Sequence, residues 1–300
     1  MQLKSIIAVL LFGLIATATK AQQIFKIAQY TQHNFIINPA ASGANKQGSV
    51  GATYRKMWAG IDGGPQTTII FADKYFASKK TGVSVGLFDD KTGPTSRTGG
   101  QIGLSYSVNL EKERRLMFGL GGQIMQYKVN LAELANSSYF DPEDPIMSAP
   151  GNVTKGDASA GVYYKSNTFN MGFSVQQIIQ SKLNFIKGSS NPEGRLYRHF
   201  YLMADYNFQV DEDNVLIPNV LFKYLPNSPL DFDGGVRLEH KNSLWVGFNY
   251  RLKQSYTAYA GLKLNNIFSI GYAYEEYRTP LSVFDKGGSA HEISLRYFLK

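Results

Sequence analysis

Residues 101–110 read QIGLSYSVNL, and their side chains alternate between two chemical classes. Every second residue is apolar, and those between are small or polar; the apolar set is Ile102, Leu104, Tyr106, Val108 and Leu110. Successive side chains of a β-strand point to opposite faces, so this stretch predicts a strand with one apolar and one polar face. The same alternation recurs near residues 157–165, 169–175, 230–239, 244–253 and 292–299.

The alternation predicts about fourteen strands of roughly ten residues each, a length that crosses a bilayer at a tilt. After the first residues, the chain contains no apolar run long enough for a transmembrane helix. The predicted strands lie near 48–57, 65–76, 81–89, 100–110, 114–130, 156–166, 168–176, 194–209, 214–224, 229–240, 243–252, 255–264, 266–275 and 290–299.

Alternation alone does not separate a soluble β-sandwich from a membrane barrel, but the connection lengths do. The even-numbered connections are short, near 77–80, 111–113, 167, 210–213, 241–242 and 265. The odd-numbered ones include 58–64, 90–99, 131–155, 177–193 and 276–289, although those near Pro226 and Lys253 are short. Outer-membrane barrels combine short periplasmic turns with longer outer loops. The sequence thus predicts an all-β, transmembrane outer-membrane β-barrel of about 14 antiparallel strands, with both termini in the periplasm.

The N-terminal region divides into two predicted segments before the barrel. Residues 1–21 have the basic start, the short apolar core and the small residues Thr19 and Ala21 that indicate a signal peptide cleaved after Ala21, with cleavage after Ala18 as the alternative. An N-terminal membrane anchor would need a longer apolar run, roughly 17–25 residues. Residues 22–47 form a polar lead-in that we expect either in the periplasm or as a plug in the lumen. Residues 48–300 form the predicted barrel.

The composition restricts the classes of partner. Lys and Arg number 31 against 23 Asp and Glu, a net charge of +8, but the basic residues are scattered, so nucleic acid is not an expected partner. Cysteine is absent, which excludes a disulfide framework. The 19 Tyr, 19 Phe and 29 Gly suit a barrel in a lipid bilayer.

Several stretches resemble the PorP/SprF family of type IX secretion and gliding-motility proteins. Residues 29–67 (QYTQHNFIINPAASGANKQGSVGATYRKMWAGIDGGPQT) contain an Asn-Pro-Ala turn, a Tyr-Arg-Lys-x-Trp strand end and a Gly-Ile-Asp-Gly-x-Pro loop similar to the family's opening. Residues 82–110 resemble its Asp-Lys-x-Gly-Pro hairpin with a downstream Arg. Residues 221–240 and 287–299 extend the resemblance over nearly all of the predicted mature chain.

The resemblance implies an outer-membrane component of the type IX secretion and gliding machinery, without a cofactor. Such a barrel is expected to support export or surface attachment of large cargo proteins through their C-terminal signal domains. Its implied partners are type IX components, exported cargo and a peptidoglycan-linked periplasmic protein. A passive porin or transporter is the alternative, and the state of the lumen distinguishes the two.

The family-like motifs supply the candidate interaction residues. Arg55 and Asp62 could form a charge-assisted pair in a loop that contacts cargo. Alternatively, Trp58 belongs to an interfacial aromatic girdle and the glycines only turn the chain. Asn38-Pro39 could dock a periplasmic partner or form a rigid turn before the first strand. The candidates are Asn38, Pro39, Tyr54, Arg55, Trp58, Gly60, Asp62, Gly63, Pro65, Asp90, Lys91, Gly93, Pro94 and Arg97.

The sequence contains only weak signs of metal binding or catalysis. The acidic stretch 141–144 could offer oxygen ligands to Ca²⁺ but lacks the spacing of a calcium loop, so we expect a solvated outer loop. The four histidines, His33, His199, His240 and His291, are dispersed, without a nucleophile motif or metal-type spacing. We therefore expect neither catalysis nor a bound metal. His199 would suggest an enzyme only if it lay within hydrogen-bond reach of a serine.

Overall fold

The computed structural model describes residues 24–111, 113–137, 141–143, 147, 151–183, 185, 194–279, 281–285 and 287–299. The predicted signal peptide, residues 1–21, lies outside this range. Within it, fourteen strands cross the barrel: β1 Ser49–Met57, β2 Gln66–Phe76, β3 Thr81–Thr92, β4 Thr95–Asn109, β5 Arg115–Val129, β6 Asn152–Lys165, β7 Phe169–Gln176, β8 His199–Tyr206, β9 Asn214–Tyr224, β10 Asp231–His240, β11 Leu244–Arg251, β12 Ser255–Leu264, β13 Phe268–Tyr277 and β14 Ala290–Phe298. Phe208–Gln209 continues β8 along β9.

The strands form one closed antiparallel sheet. Each pairs with its neighbours in chain order, and the ring closes because β14 pairs with β1, for example Ile293 opposite Tyr54. Closure gives each described strand a hydrogen-bonded neighbour on both sides over at least part of its length, which removes the free first and last edges of the sheet. The predicted fold class, an outer-membrane β-barrel of about 14 antiparallel strands, is confirmed.

In the part of the chain that the structure describes, helical structure is confined to short segments. No helix among the described residues is long and apolar enough to cross a membrane. The α-helical segments are α1 Asn34–Ile37, α2 Leu131–Ala135 and α3 Leu281–Phe284, and the 3₁₀ turns are Tyr30–Gln32, Pro39–Ala41 and Ala77–Lys79.

The polarity of the two faces of the sheet is the reverse of that in a soluble protein: the outer face is apolar and the inner face is polar. On β4, Leu104 and Tyr106 point outward and are 50% and 53% exposed, whereas Ser105 and Ser107 point inward and are 2% and 0% exposed. An apolar outer surface with a polar interior is what a bilayer stabilises and water does not. The soluble sandwich, with its apolar core between two sheets, is therefore excluded.

One end of the barrel, here called the turn end, carries the short connections. Asn265 and Asn266 follow β12 with φ of 49° and 56°, and Lys241 and Asn242 follow β10 with φ of 50° and 51°. Two successive residues with positive φ form the tight turn that matches the twist of a β-hairpin. The even-numbered connections predicted to be short thus meet at one end, where β1 begins and β14 ends.

The opposite end, here called the loop end, differs from the sequence prediction at residues 90–99. This stretch was expected to be an outer loop, but β3 continues to Thr92, β4 begins at Thr95, and only Gly93 and Pro94 turn the chain. The polar residues that suggest a loop pair across the hairpin instead, with Asp90 directly opposite Arg97. As a result β4, β5 and β6 extend beyond the end of β7, which stops opposite Ser159.

The sidedness can be tested with engineered thiols because the chain has no cysteine. We expect Lys91→Cys, exposed at the loop end, to react with a membrane-impermeant maleimide in intact cells. Ser243→Cys, exposed at the turn end, should react only after the outer membrane is permeabilised. Gel-shift labelling measures both, and the reverse pattern would place the short turns outside the cell.

Candidate functional site

The lumen is occupied by the segment that precedes β1. Residues 24–47, here called the plug, run inside the ring of strands, and most of them are buried. Phe25 packs against Phe88 in the loop-end half of β3, with ring centroids 5.2 Å apart. Of the two positions that the sequence left open for the lead-in, the contacts of residues 24–47 are those of a lumen plug. Its first residues lie toward the loop end, whereas β14 ends at the turn end.

The Asn38-Pro39 turn is seated on the wall of the barrel. Asn38 is fully buried, and its Oδ1 accepts a hydrogen bond from Ala40 N at 2.9 Å, which caps the 3₁₀ turn that begins at Pro39. Its Nδ2 donates to the Val162 carbonyl at 3.1 Å. This side chain therefore shapes the plug and also attaches it to β6.

Inward-facing glycines provide the space for this turn. A Cβ on Gly119 of β5 would lie 2.2 Å from Ala40 N, and one on Gly82 of β3 would lie 1.9 Å from the Ser42 carbonyl oxygen. Real Cβ atoms do not approach so closely, so the backbone of the plug requires glycine at these two wall positions. The plug therefore packs against the wall at inward-facing glycines.

Hydroxyl and guanidinium groups hold the plug in the turn-end half. Ser42 Oγ lies 2.7 Å from Ser84 Oγ on β3, and Ser105 Oγ on β4 donates to the Ser42 carbonyl at 2.7 Å. Arg115 of β5 donates to the Ala44 carbonyl. These bonds satisfy polar groups of the plug that are cut off from water.

A buried charge cluster of Lys26, Arg55, Glu275 and Glu292 attaches the plug in the loop-end half. Arg55 contacts both carboxylates, and Lys26 contacts Glu275. Glu292 also accepts from the backbone N–H groups of Ala28 and Gln29, at 2.6 and 3.0 Å. Removing one partner would leave the other charge buried and unpaired, which typically costs about 3–5 kcal/mol.

The expected pairing of Arg55 with Asp62 is therefore wrong. Arg55 lies inward on β1, directly opposite Glu292 on β14, and is 1% exposed. Asp62 is exposed in the loop between β1 and β2. The register of the closing strand pair, rather than nearness in sequence, selects the partner of Arg55.

Asp90 and Arg97 lie together on the inner wall at the loop end. Arg97 Nε donates to Asp90 Oδ2 at 3.1 Å, and Thr67 Oγ1 on β2 donates to Asp90 Oδ1 at 2.6 Å. The three residues link β2, β3 and β4 across the lumen face. Lys91, the next residue, points outward and lies 4.0 Å from Glu133 of α2.

The remaining motif residues at the loop end form a surface that we call the rim: residues 58–64, the Gly93-Pro94 turn and α2. Gly93 N donates to the Gly63 carbonyl at 2.8 Å, and Asn130 N donates to the Pro94 carbonyl at 2.7 Å. A Cβ on Gly60 would lie 2.1 Å from the Asp285 carbonyl oxygen. These backbone contacts bring the three connections of the rim together and place them against the connection between β13 and β14.

Trp58 has a strained backbone within the rim. Its φ is +50°, which is unfavourable for a bulky residue and costs of order 1–3 kcal/mol. Its neighbours hold this conformation: Met57 N donates to the Pro65 carbonyl at 2.8 Å and Ala59 N donates to the Ser289 carbonyl at 3.1 Å. Tyr54, by contrast, is 42% exposed on the outer face of β1, where lipid would contact it.

The lumen also contains charged residues that the sequence did not single out. Glu275, Glu292 and Arg296 are buried on the wall and bonded to the plug, in the case of Glu275 through the half-buried Lys26. The available signal was a charged side chain at an inward position of a predicted membrane strand. That signal identifies lumen positions but not their partners, because the partners are distant in sequence.

Two histidines bear on the question of catalysis. His33 Nε2 lies 3.1 Å from Ser294 Oγ, but the Arg296 guanidinium donates to His33 Nδ1 at 2.6 Å. Nε2 must then carry the proton and donate to the serine, so the ring is unable to act as its base. Burial, followed by Arg296, also lowers the pKa of His33 well below its usual range. In the described part of the chain, the hydrogen bond of His199 is to the Tyr197 carbonyl, at 2.8 Å, and not to a serine.

Metal ligation at the acidic stretch has no support in the residues described there. Asp141 Oδ1 accepts from Glu143 N at 2.9 Å, which is a local turn, and Asp144 lies outside the described residues. Nowhere in the described ranges do three His, Cys, Asp or Glu side chains cluster to hold a metal ion.

The position of the plug can be tested by a disulfide. Ser42 and Ser84 hydroxyls are 2.7 Å apart, close enough for cysteines at these positions to reach the S–S bond length of about 2.0 Å. We expect Ser42→Cys/Ser84→Cys to form a disulfide on oxidation, shown by loss of thiol labelling of the denatured protein and its return on reduction.

The matched control is Ser42→Cys/Ser243→Cys, because Ser243 lies in an exposed turn between β10 and β11. This pair should remain reduced. A freely labelled Ser42→Cys/Ser84→Cys protein would show that the plug does not lie against β3.

Comparisons with solved structures place the fold among outer-membrane barrels. The chain is similar to the Acinetobacter baumannii outer membrane protein Omp33, with 7% identity over 85% of this chain and 98% of that one, and a TM-score of 0.50. The monoaromatic hydrocarbon channel CymD gives 10% identity, 93% and 95% coverage and a TM-score of 0.53. A Pseudomonas aeruginosa FadL homologue gives 14% identity, 87% and 92% coverage and a TM-score of 0.52. At these identities the likeness shows the fold alone.

Sequence comparison is more specific. No curated protein matches the chain. A family model described as type IX secretion system membrane protein PorP/SprF matches residues 19–297, which is nearly the whole sequence. The predicted resemblance is confirmed: this chain belongs to the PorP/SprF family of type IX secretion system membrane proteins.

Proposed function

We propose that this outer-membrane protein is a binding component of the type IX secretion and gliding machinery. It supports export or surface attachment of large cargo proteins through their C-terminal signal domains. The observation that carries the proposal is the plug: the lumen is occupied by residues 24–47, which bond to the wall at both halves of the barrel. A barrel filled by its own chain is suited to holding partners at its two ends.

The rim is the proposed surface for exported cargo. It projects at the loop end beside the extended strands β4, β5 and β6, which rise beyond β7. Of the motif residues, Trp58, Asp62, Lys91 and Pro94 belong to or border this surface. The other motif residues lie inside the barrel, where they hold the plug and the wall below the rim in place; they are Asn38, Pro39, Arg55, Asp90 and Arg97.

The turn end is the proposed surface for periplasmic components, including a peptidoglycan-linked protein. This assignment places the short turns and the end of β14 in the periplasm, in line with the asymmetry of bacterial outer-membrane barrels. The predicted periplasmic N-terminus and the signal-peptide boundary involve residues before Ile24, outside the described residues.

The partner assignment is tested by affinity purification. We expect tagged full-length protein from detergent-solubilised outer membranes to retain type IX components and a large surface protein, identified by mass spectrometry against an untagged strain. Trp58→Ala, on the rim, should reduce recovery of the surface protein, whereas Tyr54→Ala, on the lipid face, should not. Preparations in which neither class of partner is enriched would contradict the proposal.

A passive porin or transporter is the second candidate, favoured by a cavity of about 450 Å³ beside the plug at the turn end. A smaller cavity of about 50 Å³ lies on the other side, between Phe25–Ile27 and the loop-end wall. Because the plug lies between these two spaces, its position decides whether solutes pass.

Conductance in planar bilayers separates the two candidates. We expect no steady channels from the wild-type barrel. Gly119→Val places a side chain where Ala40 lies, so the plug must shift and channels should appear. Gly122→Val is the control on the same strand, since a Cβ there points outward and meets only Ile102, at 3.8 Å. Wild-type protein that conducts as well as Gly119→Val would favour the porin.

A further inference from the structure

The cavity at the turn end, here called the vestibule, exists because the plug is seated off-centre. In this half of the barrel the plug bonds to β3, β4 and β5 through Ser84, Ser105 and Arg115. The opposite wall also contacts the plug, through the hydrogen bond from Arg237 of β10 to Thr31 at 3.1 Å, but a space of about 450 Å³ remains between them. That volume is within the range of ligand-binding pockets, roughly 300–1,000 Å³.

The charges lining the vestibule leave two amines available to a ligand. Lys165 of β6 and Lys263 of β12 both line it, and neither makes an ion pair with any described residue. Lys263 Nζ lies instead 4.7 Å from the centre of the Phe298 ring.

Each acid that faces the same space accepts a hydrogen bond from a neighbour or forms an ion pair with it, although among the described residues only Glu239 is paired with a cation. Glu239 pairs with Arg237 at 2.8 Å, Asp205 accepts from the Asn170 amide at 2.5 Å, and Asp73 accepts from the Ser49 hydroxyl at 2.5 Å. With Arg296 included, four basic side chains face three acidic ones. The lining therefore carries one more positive than negative side chain.

Two further donors on the wall lack acceptors. Trp245 Nε1 and Arg237 Nε are buried, and neither has a hydrogen-bond acceptor among the described residues. Both side chains line the vestibule. Buried donors are normally paired, so donors without acceptors beside two unpaired amines point to a ligand rich in acceptor oxygens.

The separation of the two amines favours a chain over a single small anion. Lys165 and Lys263 lie on strands six positions apart in the ring. At about 4.8 Å per strand, more with tilt, their backbones are separated by roughly 25 Å across the lumen. One carboxylate or phosphate is too small to contact both amines, whereas an extended segment with spaced carboxylates reaches both.

We propose that the vestibule binds an acidic peptide segment of a periplasmic protein, with its carboxylates on Lys165 and Lys263. Asparagine amides in the lining, such as Asn34, Asn170 and Asn207, offer both donors and acceptors to an extended backbone. The assignment of the partner to the periplasm rests on the orientation given under the proposed function. The binding chemistry rests only on the cavity.

The test uses the fluorescence of Trp245. The chain has two tryptophans, and Trp58 lies at the other end, so Trp58→Phe isolates the vestibule signal in the purified full-length protein. Capped hexaglutamate is the probe, with hexaglutamine and hexalysine as matched peptides. We expect a saturable change in emission with hexaglutamate alone, and a weaker one as salt is raised.

Variants of the lining then locate the site. Lys165→Gln and Lys263→Gln should each weaken binding about tenfold, the effect of losing one charge-assisted contact, and the double variant should abolish it. Lys91→Gln, exposed at the loop end, should bind like the parent. Far-UV circular dichroism and heat-modified gel mobility verify that each variant barrel is folded.

Two results would overturn the proposal: no saturable change with hexaglutamate, or equal affinity in the parent and the folded Lys165→Gln/Lys263→Gln protein. Because this assay contains only the purified barrel and a defined peptide, its failure leaves the type IX assignment standing. Conversely, a failed affinity purification leaves the peptide result unchanged.

Discussion

The structure depends on a closed ladder of backbone hydrogen bonds. Hydrocarbon offers no water to an unpaired N–H or C=O, and each such group would cost several kcal/mol. Pairing of β14 with β1 removes the last free edge and turns a sheet into a barrel. Once the ring is closed, each strand has one face toward lipid and one toward the lumen, so its alternating side chains acquire separate roles.

The polar inner face creates the second requirement, because charged groups enclosed by the barrel need partners. Arg55 lies between Glu275 and Glu292, and Lys26 brings a further positive charge from the plug. Buried ions of this kind are tolerated only when each is paired and hydrogen-bonded. The plug therefore fills space and also completes the charge balance of the wall.

The same requirement explains how the family-like motifs are distributed. Asn38 and Pro39 are placed by glycines of the wall, and Asp90 and Arg97 support one another across a hairpin. Gly63 and Gly93 join two outer connections into the rim. The motif residues, which in the sequence resemble loop residues, thus fall into two groups: one group holds the plug in place, and the other forms the rim. At the turn end, where the plug bonds to β3, β4 and β5, a polar space remains between it and the opposite wall.

The sequence by itself determined the strands, their number and the grouping of short turns at one end, because alternation and connection length are local properties. Stretches such as 101–110 carry this information without reference to any partner. Only the tertiary structure decided that Arg55 meets Glu292, 237 residues away, instead of Asp62, and that residues 90–99 continue a hairpin. It also decided that residues 24–47 enter the lumen. These features depend on the register of strands distant in sequence and on wall glycines whose empty space is visible only once the ring is closed.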